Sequence, residues 1–150
     1  MNVQDIMEPT YVSVTEEATY KEVAEKLDTQ RCGCVFVVRA DGQLTGLATE
    51  RDLLRILFPY YQSYYLNPEL YTDPQEREKK IEEVQDHVVT RFMTSEIHYA
   101  SPDDPIMRAG ATMLAKNIRR LPVLQAGKVL GVVTRHQVYR ALYEGHLKDT

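Results

Sequence analysis

The chain is poor in cysteine. Its two, Cys32 and Cys34, stand one residue apart in 150 positions, too close to staple a fold through a bridge, and they read as packed thiols just before an apolar run. Basic charge is also short. Eighteen Lys and Arg face 22 Asp and Glu, a net −4, which leaves no basic stripe of the kind nucleic-acid binders carry. No apolar run approaches the roughly 20 residues that a membrane-spanning helix needs. The N-terminus MNVQDIMEPT lacks the basic and apolar regions of a signal peptide, so a soluble, cytoplasmic protein is expected. His87, His98, His136 and His146 show no metal-ligand spacing such as His-Glu-x-x-His. A Walker loop, a Gly-x-Gly-x-x-Gly stretch and a Ser or Cys nucleophile in a recognisable motif are all missing. Neither a metal site nor enzymatic activity is expected.

What is present is a repeat. Placing DIM (5–7) over RFM (91–93) sets an offset of 86, and one residue lost opposite Asp41 then lays GQLTGLATERDLLR (42–55) over GKVLGVVTRHQVYR (127–140). Gly42 meets Gly127, Gly46 meets Gly131, Thr49 meets Thr134 and Arg55 meets Arg140. Self-similarity over most of both halves, in one order, means two copies of one unit.

Each copy reads as β-α-β-β-α. An extended piece, YVSV (11–14) or IHYA (97–100), comes first. An amphipathic helix follows, with Tyr20, Val23, Ala24 and Leu27, or Ile106, Ala109, Gly110 and Met113, at i, i+3, i+4, i+7. Thr19-x-x-Glu22 fits a capping box, and Asp104-Pro105 fits an N-cap with Pro at the first helical position. The apolar runs VFVV (35–38) and LPVL (121–124) predict buried strands; a glycine turn leads from each to a second strand ending at Thr49 or Thr134. A closing helix carries Leu53, Leu54 and Leu57, or Val138 and Leu142. The fold class expected is therefore α+β with α/β-like alternation: two repeats, residues 1–57 and 88–150, packed as a pseudo-twofold pair around short sheets. A unit of about 50 residues buries little surface alone, which is why the copies should pair.

Residues 58–87 belong to neither copy. Their first half holds Tyr60, Tyr61, Tyr64, Tyr65 and Tyr71, five of the ten tyrosines. The pairs 60/61 and 64/65 are four apart, so they would line one helical face, packed within the monomer or against another subunit. The second half is charged with mixed sign and predicts a solvated helix or linker.

Thr49 ends a strand and opens a helix, so its hydroxyl and the free N–H groups there favour an anion. Asp52, one turn on, suits the two hydroxyls of a ribose diol. The same Thr-x-x-Asp spacing is also close to a capping box that touches no ligand. Thr134-x-x-Gln137 fits a capping box well and a ribose site poorly, because a neutral amide is a weaker diol acceptor than a carboxylate. Capping is thus kept in both copies, and sugar binding in at most one.

These residues resemble a known family. GLATERD (46–52) is similar to the Gly-x-x-Thr/Ser-x-x-Asp ligand motif of the cystathionine β-synthase (CBS) domain, and IRRLPV (118–123) to its strand entered through basic residues. DIM and RFM stand where such units begin. The resemblance implies a tandem CBS pair that binds an adenosine-containing ligand: AMP, ADP or ATP, with S-adenosylmethionine less favoured by two arginines. It implies a homodimer of pairs that regulates an enzyme partner or another effector. Little precedes Val3 and little follows Leu142, so a stand-alone sensor is expected. In such pairs each cleft is built across the two copies. Asp52 and Thr49 would then share a cleft with Arg119 and Arg120 for phosphate, with Ala48, Ile97 and Pro122 bracketing the adenine and His98 stacking on it or bonding to it. Surface ion pairing by the arginines and an ordinary strand role for His98 are the plainer alternatives. Thr134 and Gln137 would face Tyr11, Val12, Gly33 and Cys34 in a weak or empty second cleft. A looser similarity, in the central insertion and the RRLPV segment, links the chain to stand-alone CBS pairs of the chloroplast type that regulate thioredoxins. A structural oligomer whose Thr49 and Asp52 only cap a helix is the remaining alternative.

Overall fold

A computed structural model describes residues 1–71 and 73–149; Thr72 and Thr150 lie outside the described residues. Along the first half run α1 (Val3–Ile6), β1 (Ser13–Thr15), α2 (Tyr20–Thr29), β2 (Val35–Val38), β3 (Leu44–Ala48) and α3 (Glu50–Leu57). The insertion supplies α4 (Tyr61–Leu66), a 3-10 turn at Pro68–Leu70 and α5 (Pro74–Val84). After a 3-10 turn at Val89–Arg91 come α6 (Ile106–Lys116), β4 (Arg120–Gln125), β5 (Lys128–Thr134) and α7 (Arg135–His146). The first copy is the β-α-β-β-α unit read from the sequence. In the second copy IHYA is not a regular strand: only Ala100 pairs, as a parallel bridge to Val123.

Two compact units form, and they exchange the leaders of the repeats. One contains Val12–Ala40 and Thr45–Ser95; the other contains Met1–Tyr11, Asp41–Leu44 and everything from Glu96 on. We call them the first-repeat and second-repeat units.

The first-repeat unit is built on a sheet ordered β1-β2-β3, with β1 parallel to β2. VFVV carries no polar residue because it is the middle strand; Val35, Phe36 and Val37 are all buried. Helix α2 starts at a reciprocal box, Thr19 Oγ1 accepting from the Glu22 N–H at 3.2 Å and Glu22 Oε2 from the Thr19 N–H at 3.3 Å. Its stripe of Tyr20, Val23 and Leu27 closes over the sheet. The segment that opens the second repeat completes this core with Val89 and Phe92. Of the closing-helix leucines, Leu53 is buried but Leu54 is exposed, since consecutive helical residues are about 100° apart around the axis.

The insertion folds onto the same unit. Tyr60 stacks on Tyr71 at 5.6 Å between centroids, Tyr64 meets the Phe58 ring edge-on at 4.9 Å, and the Arg77 guanidinium lies 4.4 Å above Tyr60. The four tyrosines therefore do not share one face. Tyr60 and Tyr64 turn inward, whereas Tyr61 and Tyr65 are exposed, Tyr65 at 83%. Helix α5, capped by Asp73 accepting from the Glu76 N–H at 3.1 Å, is mostly solvated, with Arg77 on the aromatic rings and Val84 in the core.

The second-repeat unit uses the equivalent parts. Strands β4 and β5 pair antiparallel through a two-residue turn, Ala126-Gly127, with φ of +53° and +79°, the double positive φ of a type I′ hairpin. Val3 from α1 plugs the core of Ala109, Met113, Leu121, Val123 and Val133, as Val89, 86 positions on, plugs the other. Each buried valine of this kind contributes about 1.5–3 kcal/mol. The N-cap of α6 is Pro105, one residue later than Asp104-Pro105 suggests. Asp104 instead closes the preceding turn, Oδ2 accepting from the Ser101 N–H at 2.9 Å.

Candidate functional site

The first-repeat unit explains its glycine motif geometrically. After RFM the chain crosses β3, and Leu47 and Thr94 exchange backbone hydrogen bonds of 2.9 and 2.8 Å. The crossing packs Met93 against Gly46: a Cβ there would stand 2.4 Å from Met93 Sδ unless that side chain moved. The second-repeat unit repeats the arrangement at the repeat offset. Glu8 and Val132 exchange bonds of 2.8 and 2.9 Å, and a Cβ on Gly131 would lie 2.4 Å from the Glu8 carbonyl oxygen. Glycine admits the crossing chain, and the threonine three residues later caps the helix.

Crossing delivers Thr94 to Asp52. The Asp52 side chain is only 2% exposed. Its Oδ2 accepts from the Thr49 N–H at 3.0 Å and from the Thr49 hydroxyl at 3.3 Å. Its Oδ1 accepts from the Thr94 hydroxyl at 2.8 Å and pairs with the Arg55 guanidinium. Two lone pairs on each oxygen are thereby used. A buried carboxylate requires such saturation, because leaving it unpaired is strongly destabilising. Thr49 itself is extended, φ −122° and ψ 171°, as an N-cap must be.

In the second-repeat unit Gln137 serves as a plain capping-box partner. Its Oε1 accepts from the Thr134 N–H at 2.8 Å, and Thr134 Oγ1 accepts from the Gln137 N–H at 3.1 Å. Arg120 opens β4 directly opposite Thr134, and the Arg119 carbonyl accepts from the Arg135 N–H at 3.0 Å. Both arginines are exposed, and their backbones lie beside the start of α7. Pro122 is buried, and its carbonyl accepts from the Ala100 N–H at 3.0 Å. Ile97 and His98 are half-buried in the segment leading to Ala100, while Tyr11 is exposed.

Within the first-repeat unit, Ala48 is fully buried at the end of β3 and Val12 packs against the core just before β1. Cys32 and Cys34 are both half-buried, and the Cys32 thiol donates to the Lys26 carbonyl at 3.7 Å. Among the described residues no group of three His, Cys, Asp or Glu is placed to hold a metal, and no helix is long and apolar enough to cross a membrane. The structure thus gathers Ala48, Thr49 and Asp52 in one unit and Arg119, Arg120, Pro122, Thr134 and Gln137 in the other. Two partners of Asp52 escaped the sequence reading. Arg55 was visible as a repeated position matched by Arg140; Thr94 was signalled only by standing directly after RFM.

The CBS domain family matches residues 3–59 and 88–144. The chain belongs to this family, as a tandem pair. An uncharacterised protein of Methanocaldococcus jannaschii, MJ1225, is 28% identical over 88% of this chain, which spans only 39% of that relative's length. The structure of CBSX2 from Arabidopsis thaliana in complex with AMP is 25% identical, with a TM-score of 0.73 over 95% of this chain and 96% of that one. The CBS domain pair of protein MJ0100, in complex with 5′-methylthioadenosine and S-adenosylmethionine, is 20% identical with a TM-score of 0.69 over 97% of both chains. That last likeness concerns the fold.

Proposed function

We propose that the chain is a non-catalytic regulatory module of the cytoplasm that binds an adenine nucleotide, AMP, ADP or ATP, and acts through a partner as a homodimer. The observation that carries this reading is the start of α3, where a hydroxyl, free N–H groups and a carboxylate lie within one turn, in a chain 25% identical to a CBS pair holding AMP. A ribose diol would donate to Asp52 in place of its two most readily released donors. Those are the Thr49 hydroxyl, at 3.3 Å, and Arg55, whose side chain is 43% exposed. Once released, the Thr49 hydroxyl is available to sugar or phosphate. Arg119 and Arg120 are the candidates for phosphate, since guanidinium binds it bidentately, and half-buried Ile97 and His98 are the candidates for the adenine.

The saturated carboxylate favours a second reading, in which Asp52 is purely structural. One calorimetric titration separates the two. AMP, ADP, ATP and S-adenosylmethionine are added in turn to wild type, Asp52→Asn and Gln137→Ala. Loss of a charged ribose acceptor should weaken binding roughly 10- to 150-fold, with Gln137→Ala close to wild type. If no ligand binds wild type, Asp52 is a helix cap, and partner capture with and without AMP becomes the informative measurement.

A further inference from the structure

The insertion does more than cover the first-repeat unit: with α3 it lines an open cavity of about 1040 Å³. That is at the upper end of small-molecule sites. Its apolar walls are Leu54, Leu57, Phe58, Tyr61, Tyr64 and Leu70, and Arg51, Arg55 and Arg77 reach it from α3 and α5. We propose that this cavity is a second small-molecule site, for a flat apolar monoanion such as an aromatic carboxylate or sulfonate, anchored by Arg55.

Shape and charge select that class. Rings on several walls offer faces and edges to a planar body. Arg77 already lies over Tyr60 and, at 5.6 Å, over Phe58, so it is a fixed part of the wall. Arg55 is instead held by the Asp52 carboxylate alone among the described residues, and half of its side chain faces outward. It can turn to a ligand anion, for which guanidinium provides two parallel donors. Polyanions are disfavoured. Glu50, Asp73, Glu76 and Glu78 also line the cavity and outnumber the three guanidinium groups, so a triphosphate would meet repulsion at the rim. A single negative charge, paired with one guanidinium on an apolar body, meets the least of this repulsion.

Arg55 also links the cavity to Asp52. A ligand that draws Arg55 away leaves the buried Asp52 carboxylate one donor short, a cost that an incoming donor such as a diol would offset. This consequence rests on the nucleotide reading of Asp52; the cavity site does not. By linkage, any effect of the cavity ligand on nucleotide affinity must be returned in equal measure.

The test uses 1-anilinonaphthalene-8-sulfonate, an aromatic apolar monoanion with a planar naphthalene body, titrated by fluorescence and calorimetry into the full chain. Saturable binding of one probe per chain is expected. Tyr61→Ala and Leu70→Ser alter exposed wall residues, so folding should survive, and each should weaken the probe about fivefold or more, the value of part of a buried apolar group. Arg55→Gln, or uncharged N-phenyl-1-naphthylamine as the probe, should cost roughly 10-fold or more. Tyr65→Ala, outside the cavity wall, should leave binding unchanged. Equal weakening in Tyr65→Ala would overturn the proposal, and so would no saturable binding at all. Competitive displacement by AMP would place the probe elsewhere and also overturn it. Light scattering at the same concentrations covers the remaining case: probe bound only by dissociated chains would mean that a second copy covers the cavity. If AMP binds nowhere while the probe behaves as expected, the nucleotide reading fails and the cavity site stands.

Discussion

The Thr94 hydroxyl donates to Asp52 Oδ1 at 2.8 Å across 42 positions of sequence. It does so because the residues after RFM cross β3 at Gly46, and the second-repeat unit contains the same crossing with Glu8 in the place of Thr94. There the buried acid is replaced by Gln137, and the acid moves to the crossing segment, where Glu8 accepts from the Thr10 hydroxyl at 2.7 Å. One scaffold thus carries two distributions of charge at the start of its closing helices. That is the physical content of the difference between GLATERD and GVVTRHQ.

Removing the Thr94 donor tests how tightly the Asp52 cluster is held. Thr94→Val keeps the shape and leaves a buried carboxylate one bond short, which should cost about 1.5–3 kcal/mol of stability. Urea denaturation should show a lower midpoint with an unchanged slope. Thr94→Ser, which keeps the hydroxyl and loses only the methyl, should stay closer to wild type than Thr94→Val; a Thr94→Val protein as stable as wild type would mean that this hydrogen bond contributes nothing.

The two crossing glycines should differ in sensitivity. At Gly131 an added Cβ meets the Glu8 carbonyl oxygen at 2.4 Å, whereas at Gly46 the nearest atoms belong to the Met93 side chain. Backbone cannot yield without breaking the Glu8–Val132 bonds, but a methionine side chain has three rotatable bonds and can. Gly131→Ala should therefore cost about 1–3 kcal/mol, as overpacking does, and Gly46→Ala distinctly less. Thermal unfolding of the two variants measures this order, and the reverse order would refute the assignment.

Much of this was legible because it is local. The capping box at Thr134 and Gln137, the stripe on α2 and the apolar middle strand follow from residues a few positions apart, and repetition of each supported it. What was illegible depends on distant chain. IHYA has strand composition, yet its neighbours let only Ala100 pair. Leu54 matches the helix pattern but points away from the core that Leu53 enters. Nothing in the Thr-x-x-Asp motif shows that its carboxylate already holds four donors, since one of them, Thr94, arrives from the other repeat's leader.

The β4–β5 turn contains a correctable strain. Ala126 has φ +53°, in a type I′ position that suits Asn or Gly better than Ala. Its carbonyl is held by Gln43 Nε2 at 2.9 Å, a backbone contact that a side-chain change leaves intact. Ala126→Asn should stabilise the protein by about 0.5–1 kcal/mol, in the range of turn-matched substitutions. A rise in urea midpoint checks this; no change would mean the turn relaxes to another type.

Tyr20 gives a prediction at alkaline pH. Its ring is 2% exposed and packs edge-on against Phe92 at 5.2 Å, and its hydroxyl donates to the Leu53 carbonyl at 2.9 Å. Burial raises its pKa above the ordinary 10.0, because the ionised phenolate would be poorly solvated there. The folded chain therefore keeps a proton that the unfolded chain gives up at lower pH. The stability this contributes is complete below about pH 10 and is lost as pH climbs through the higher folded value. Tyr20→Phe should cost about 0.5–1.5 kcal/mol at neutral pH through loss of the hydrogen bond. Because phenylalanine does not titrate, the gap between the variants should narrow above pH 10. Denaturation curves of both proteins from pH 7 to 11 measure this gap; a constant gap would mean that the Tyr20 hydroxyl ionises in the folded protein as readily as in water.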